Sequence, residues 1–181
     1  MPGRIHRFQV DGDQLIPAAD NPFGADNSTY AYGLRNSFDF DFDPISGLIF
    51  ASENGPECDD EINLIYPGGN YGWRPDYPCD DKSPQNTSFI YPLLYFTPTI
   101  APTGVLIYDG AMFPEWEGDL FFCSWKDGRI RHAELNKSRD LIENTEILEM
   151  PRNSCSTDLE VGPDGAIYFT NYNSIFKLVR D

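Results

Sequence analysis

Basic residues are scarce in this sequence. Its 181 residues include 13 lysines and arginines against 29 aspartates and glutamates, which gives a net charge of −16 and an isoelectric point of about 4.3. Proteins that bind nucleic acid neutralise its phosphates with a basic surface, so this composition argues against a nucleic-acid partner. Hydrophobic residues make up 40% of the chain, which is enough to bury a core.

Long apolar runs are also missing. No stretch approaches the roughly 18 consecutive apolar residues of a membrane-spanning helix. Residues 1–7 lack the apolar centre of a signal peptide. The sequence as written therefore predicts no membrane span and contains no recognisable targeting segment.

Closely spaced cysteine pairs, typical of zinc sites, are absent, and only two histidines, His6 and His132, are present. The four cysteines are widely separated: Cys58, Cys79, Cys123 and Cys155. Triplets that could accept glycans begin at Asn27, Asn86 and Asn136. These features favour an oxidising compartment, periplasmic or extracellular, although four buried thiols would leave the same pattern.

Glycine and proline, with 15 residues of each, divide the chain into short segments and indicate an all-β protein. One pattern, a turn glycine followed by a short apolar strand, occurs at residues 47–54, 118–125 and 165–172. A second pattern pairs residues 3–8 with residues 128–133. This cadence is typical of β-propellers, whose four-stranded antiparallel blades take about 40–45 residues each. It predicts about three blades.

One interval is too long for a single blade. Gly118 and Gly165 are 47 residues apart, whereas Gly47 and Gly118 are 71 residues apart. The difference predicts an insertion of about 25 residues within the segment 56–100, and long loops of this kind often carry functional sites.

The cysteines suggest two pairings. Cys58 and Cys79 flank the insertion, and a disulfide between them would close a loop of about 20 residues, which is worth roughly 3 kcal/mol in the loop-entropy model. Cys123 and Cys155 lie in early strands of neighbouring predicted blades and could pair or remain buried thiols.

Residues 38–43 alternate phenylalanine and aspartate. The three aspartates copy the first positions of an EF-hand loop, but Pro44 stands where that loop needs glycine, and Phe50 stands where it needs a bidentate glutamate. The pattern predicts instead a strand whose aromatic face packs between neighbouring blades.

Two cations and one acidic segment are candidate functional groups. Arg35 and Lys126 lie at equivalent ends of predicted strands, and such ends converge on one mouth of a propeller channel. They could bind an anionic ligand there or simply pair with the abundant carboxylates. Residues 52–63 combine a Gly-Pro turn with several acidic side chains, which suits either a calcium site or a solvated loop.

An ordered series of short motifs runs along nearly the whole chain. Its members are GLRN at 33–36, SENGP at 52–56, DDEINLI at 59–65, GGNYGW at 68–73, PTIAPTG at 98–104, FPEWEG at 113–118 and GPDG at 162–165. The series resembles the soluble quinoprotein glucose and aldose sugar dehydrogenases, and it is far more specific than any one motif.

The resemblance implies a six-bladed propeller that binds pyrroloquinoline quinone (PQQ) and calcium over the channel mouth. Such an enzyme oxidises aldose sugars at the anomeric carbon and passes the electrons to an external acceptor. By this resemblance, Arg35, Asn36 and Lys126 would contact PQQ, whose three carboxylates favour nearby cations.

The resemblance also implies metal ligands. The backbone carbonyls of Gly55 and Pro56 would hold the calcium that polarises the quinone. A second, structural calcium would draw on Glu61 and the carbonyl of Tyr71.

Two family features have no counterpart in this sequence. The family's catalytic base is a histidine in a motif that this chain does not contain, since His6 and His132 match other positions, and no catalytic residue is therefore assigned. A family pair of arginines is replaced by residues 155–158, with Arg152 out of register. We expect residues 1–181 to be a partial propeller domain, the C-terminal half of a sugar dehydrogenase, inactive by itself.

Two alternatives remain open. The chain could be a non-catalytic extracellular propeller that binds a protein or a sugar ligand. Two copies of about three blades each could also close one six-bladed ring as a homodimer.

Overall fold

A computed structural model describes residues 3–76, 79 and 88–180 of the chain. These residues form fifteen β-strands and one short 3-10 helix, Pro114–Trp116. None of the helical structure in these ranges is long and apolar enough to cross a membrane. The predicted all-β class is therefore confirmed. Asn86, one of the possible glycan acceptors, lies outside the described residues.

The strands follow one another along the chain as β1 (Gly3–His6), β2 (Phe8–Asp11), β3 (Gln14–Pro17), β4 (Thr29–Leu34), β5 (Ser37–Phe42), β6 (Ile49–Glu53), β7 (Asp60–Ile65), β8 (Leu94–Phe96), β9 (Pro102–Ile107), β10 (Leu120–Ser124), β11 (Ile130–Leu135), β12 (Ile142–Ile147), β13 (Leu159–Val161), β14 (Ile167–Thr170) and β15 (Ile175–Leu178). They form two four-stranded antiparallel sheets, β5-β6-β7-β8 and β9-β10-β11-β12. A three-stranded sheet, β13-β14-β15, and the pairs β1-β4 and β2-β3 complete the described structure.

The glycine-led repeats correspond to equivalent strands. They contain β6, β10 and β14, and each of these is the second strand of its sheet. The turn glycines before them, Gly47, Gly118 and Gly165, have φ angles of 73°, 83° and 78°. Glycine adopts this left-handed conformation without steric penalty, which explains why the same residue begins each repeat.

The predicted insertion lies between β7 and β8, where residues 66–93 separate two strands that pair with each other. A disulfide between Cys58 and Cys79 joins this connection to the segment before β7. A second disulfide, between Cys123 and Cys155, joins β10 to the segment before β13. Both suggested cysteine pairings are thus present in the structure.

The sheet that contains β10 packs face to face against a neighbouring sheet on each side. Phe122 belongs to the core shared with the sheet of β5 to β8, whereas its neighbour Phe121 belongs to the core shared with the sheet of β13 to β15. Successive side chains of a strand point to opposite faces, so β10 is covered on both sides and every one of its residues is buried.

The first strands of the three larger sheets lie next to one another. In β9, which is an edge strand, the amides of Val105 and Ile107 donate to Oδ2 of Asp39 and Asp41 in β5, each at 2.8 Å. On the other side, the amide of Gly104 donates to the carbonyl of Thr157, just before β13, at 3.0 Å. These bonds satisfy amides of β9 that no strand pairs with.

Packing of the aromatic face of β5 between neighbouring blades stays a prediction, because the described residues on that side form only the pairs β1-β4 and β2-β3. Phe38, Phe40 and Phe42 are 54%, 55% and 56% exposed, and the aspartate face of the strand contacts β9. The physical reason for this contact is the edge of β9, whose unpaired amides need acceptors that phenylalanine cannot supply. Burial raises the pKa of Asp39, and amide hydrogen bonds from Val105 and Phe40 offset part of that rise.

Candidate functional site

A cavity of about 360 Å³ lies where β6 and β10 end and where β5 and β9 begin. Its lining residues come from four segments of the chain, at 35–38, 54–60, 99–103 and 125–126. They include every residue predicted to contact the cofactor or its calcium: Arg35, Asn36, Gly55, Pro56 and Lys126. The volume lies in the range of about 300–1,000 Å³ that is usual for small-molecule sites.

Two cations at this cavity have no carboxylate partner among the described residues. Arg35 donates from Nη1 to the carbonyl of Asn54 at 2.8 Å, and Lys126 donates from Nζ to the hydroxyl of Thr99. The salt bridges of the described part of the chain involve other cations. Within residues 3–76, 79 and 88–180, neither cation has the carboxylate partner that ordinary ion pairing requires.

Two buried oxygen atoms beside the cavity lack hydrogen-bond partners within the ranges described. They are Oδ1 of Asn54 and Oγ1 of Thr103. The side-chain Nδ2 of Asn54 donates to the carbonyl of Pro102 at 3.1 Å, which fixes the orientation of the Asn54 side chain. A buried polar atom without a partner costs about 1–3 kcal/mol. Both residues line the cavity, and these two atoms are hydrogen-bond acceptors that its buried lining leaves unused within the described ranges.

The turn at Gly55 and Pro56 requires glycine. A Cβ atom at Gly55 would collide with the carbonyl oxygens of Cys58 and Asp59, so no other residue allows this close approach. Within residues 3–76, 79 and 88–180, no three His, Cys, Asp or Glu side chains converge on a common point. A calcium ion at Gly55 and Pro56 would accordingly be held by backbone carbonyls and by oxygens of a ligand.

The carboxylate of Glu53 organises the turn that precedes β5. It accepts hydrogen bonds from the amides of Arg35 and Asn36, at 2.6 Å and 2.5 Å, and from the hydroxyl of Ser37 at 2.6 Å. Burial raises the pKa of Glu53, and these three hydrogen bonds limit the rise. Glu53 is therefore not a solvated acidic residue but an internal acceptor beside the cavity.

The carboxylate of Asp60 joins two of the lining segments. Its Oδ1 accepts from the amide of Gly55 at 2.9 Å, and its Oδ2 accepts from the amide of Ala101 at 2.6 Å. The loop at Ala101 in turn holds the next segment, because its carbonyl accepts from the amide of Trp125 at 2.8 Å, and the carbonyl of Ile100 accepts from the amide of Lys126 at 3.2 Å.

The residues predicted for a second calcium, Glu61 and Tyr71, also lie together. They line a small cavity of about 20 Å³ behind Gly55 and Pro56, close to the size of one water molecule. The Tyr71 hydroxyl donates to the carbonyl of Leu64 at 2.7 Å, and burial raises the pKa of Tyr71. A calcium ion at this position stays a prediction.

Neither histidine lines the main cavity. His132 is buried, with Nε2 2.8 Å from Oδ2 of Asp119 and Nδ1 3.0 Å from Oε1 of Glu146. His6 lies in β1, with Nδ1 2.9 Å from the hydroxyl of Ser28. Both side chains therefore hydrogen bond away from the cavity, and the absence of a catalytic histidine from this sequence stays a prediction.

Several residues beside the cavity were not singled out individually from the sequence, and four of them carry buried polar groups: Glu53, Asn54, Asp60 and Thr103. The first three lie within the acidic segment 52–63, and all four lie within the motifs at 52–56, 59–65 and 98–104 that carry the family resemblance. Nothing in the sequence distinguished their buried side chains from solvated ones.

The described sheets have the fold of solved glucose dehydrogenases. One glucose dehydrogenase structure superposes with a TM-score of 0.82 at 26% identity, covering 99% of this chain and 55% of that one. The chain belongs to the Glucose / Sorbosone dehydrogenase family, whose family model matches residues 1–180.

The chain is also similar to two aldose sugar dehydrogenases. Aldose sugar dehydrogenase YliI of Escherichia coli is 30% identical over 192 residues, which cover 98% of this chain and 50% of that protein. The PQQ-bound form of an aldose sugar dehydrogenase from Streptomyces coelicolor shares the fold with a TM-score of 0.72 at 24% identity, covering 94% of this chain and 46% of that one. The chain spans about half the length of the curated relatives that it matches.

Proposed function

We propose that the 360 Å³ cavity binds PQQ with calcium, and that the protein works as a quinoprotein sugar dehydrogenase. The observation that carries this proposal is the position of Arg35 and Lys126. In a chain of net charge −16, they are two cations without a carboxylate partner in the described ranges, and both face one cavity. Membership of the Glucose / Sorbosone dehydrogenase family and the PQQ-bound Streptomyces structure support the same ligand.

The residues present fit the chemistry of this cofactor. PQQ carries three carboxylates, and Arg35 and Lys126 would bind them through charge-assisted hydrogen bonds. Asn36 lies beside Arg35, and the hydroxyl of Thr103 has a hydrogen bond to offer. When bound, PQQ supplies the electron-accepting carbonyl for sugar oxidation, and calcium on the carbonyls of Gly55 and Pro56 would act as its Lewis acid.

We also propose that the residues described are part of a larger ring. The two four-stranded sheets and the three-stranded sheet would be about half of a six-bladed propeller, so that sugar binding, the catalytic base and the contact with an external electron acceptor draw on further blades. The two disulfides support a periplasmic or extracellular location. A second copy of the chain is the alternative source of those blades, and sedimentation analysis would distinguish a dimer from a monomer.

Calorimetric titration of the chain with PQQ in the presence of calcium tests the proposal. We expect one binding site with micromolar or tighter affinity. The matched pair of variants is Lys126→Met, which removes a cation at the cavity, and Lys177→Met, which removes a surface cation paired with Asp164 at 2.5 Å. Absence of binding by the folded wild-type chain would contradict the proposal and would favour the non-catalytic alternative.

A further inference from the structure

We infer that Glu53 and Asp60 are the positioning residues of the cavity, each holding two of its lining segments in register through backbone amides. Glu53 joins the end of β6 to the turn of Arg35 and Asn36, and Asp60 joins the Gly55 turn to the Ala101 loop. The inference rests on the proposed function for the identity of the ligand, although not for the hydrogen bonds themselves.

Glu53 determines how the Arg35–Asn36 turn faces the cavity. Its Oε1 accepts both amides of the turn, while its Oε2 accepts only the hydroxyl of Ser37. The turn is closed from the other side as well, because the amide of Asn54 donates to the carbonyl of Asn36 at 3.0 Å. Removing the carboxylate would leave two amides without their acceptor and would free the two residues that are proposed to bind PQQ.

The three hydrogen bonds of Glu53 make glutamine an adequate substitute. The single amide oxygen of a glutamine could accept both backbone amides, and its NH₂ group could donate to the Ser37 hydroxyl, which can serve as donor or acceptor. Glu53→Gln should therefore retain the turn geometry, whereas Glu53→Ala should lose it. If Glu53 acted through its charge, both variants would fail.

Asp60 presents the opposite situation. Each of its oxygens accepts from a different backbone amide, so an asparagine would place an NH₂ group against one of two N–H donors. The Ala101 loop also needs this anchor, because Ala101 has a φ of 53°, a conformation that is unfavourable for alanine. Since this loop binds the backbone of Trp125 and Lys126, Asp60→Asn should displace Lys126.

Asp43 provides a matched control for burial. Its carboxylate is fully buried like those of Glu53 and Asp60, but it lies after the far end of β5 and is bound by Arg139. Asp43→Asn should therefore lower stability without changing the cavity.

The test combines PQQ affinity with amide hydrogen exchange, both measured on the full chain under conditions where circular dichroism shows each variant folded. We expect Glu53→Ala and Asp60→Asn to weaken PQQ binding about tenfold or more, Glu53→Gln to stay within about threefold of wild type, and Asp43→Asn to bind like wild type. In the ligand-free protein, exchange at residues 35–37 should accelerate in Glu53→Ala but not in Glu53→Gln or Asp43→Asn.

Three results would overturn the inference: equal loss of affinity in Glu53→Ala and Glu53→Gln, wild-type affinity in Asp60→Asn, or unchanged exchange at residues 35–37 in Glu53→Ala. The exchange measurement needs no ligand. If wild-type protein binds no PQQ, the proposed function fails while the exchange result still decides the positioning role of Glu53.

Discussion

The two ends of β5 both place buried carboxylates beside arginine, but they use them differently. Before the strand, Glu53 accepts a hydrogen bond from the backbone amide of Arg35, and the guanidinium of Arg35 has only a neutral carbonyl as its partner among the described residues. After the strand, Asp43 binds the guanidinium of Arg139 directly, at 2.8 Å and 3.1 Å. The first end keeps a positive charge available next to a cavity, and the second end neutralises its charge inside the core.

This difference shows how a strongly acidic chain can place two cations beside a cavity without pairing them to a carboxylate of the described residues. Carboxylates near the cavity are occupied by backbone amides, so they are held away from the cations of the site. Because these carboxylates accept hydrogen bonds from backbone amides, neither Arg35 nor Lys126 is paired with an acid in the described ranges.

The largest expected effect concerns the Asp43 end. Arg139→Met should destabilise the protein by about 3–5 kcal/mol, because it leaves a buried carboxylate without its countercharge. Urea unfolding measures this loss. The double variant Arg139→Met/Asp43→Leu should recover most of it, and an equally unstable double variant would show that the loss comes from packing rather than charge.

The next effect concerns the cavity end of β5, where we expect a substitution to weaken binding and to leave stability nearly unchanged. The double variant Arg35→Met/Lys126→Met should weaken PQQ binding by about 100-fold or more, because each charge-assisted hydrogen bond is worth about 1.5–3 kcal/mol. Its free energy of unfolding should stay within about 0.5 kcal/mol of wild type. A large loss of stability in this variant would erase the contrast between the two ends.

The smallest effect is a difference in pH dependence between two aspartates at β5. Burial alone would raise the pKa of Asp43, but hydrogen bonds from Arg139, Ser46 and the amide of Ile45 hold it below its usual value. Its stabilising contribution is therefore complete above the unfolded pKa of about 3.9 and is lost as the pH falls through the lower folded value. The pKa of Asp39 is raised by burial, so its contribution falls as the pH rises between the unfolded and folded values.

Urea unfolding of Asp43→Asn and Asp39→Asn between pH 3 and pH 7 tests these signs. The stability advantage of wild type over Asp43→Asn should shrink at the acid end of the range. The difference between wild type and Asp39→Asn should shift in favour of the variant as the pH rises. Parallel pH profiles for the two variants would refute the assignment of opposite shifts.

Much of the fold could be predicted because its signals are local. Gly47, Gly118 and Gly165 precede equivalent strands, and a few consecutive residues are enough to predict a left-handed turn followed by an apolar strand. The meeting of Arg35 and Lys126 followed from the equivalent strand ends that they occupy.

The rest depends on what lies opposite each residue. The alternation in residues 38–43 identified two faces of β5, but it could not show that the aspartate face contacts β9. In the same way, the composition of residues 52–63 could not show which carboxylates are buried, because Glu53 and Asp60 differ from solvated acids only in the distant amides that they accept.

The most direct test of the central claim is a crystal structure of the protein with PQQ and calcium. The account predicts the quinone in the 360 Å³ cavity, with its carboxylates within hydrogen-bond distance of Arg35 and Lys126 and with calcium on the carbonyls of Gly55 and Pro56. A quinone bound elsewhere, or bound in this cavity without contact to either cation, would contradict it.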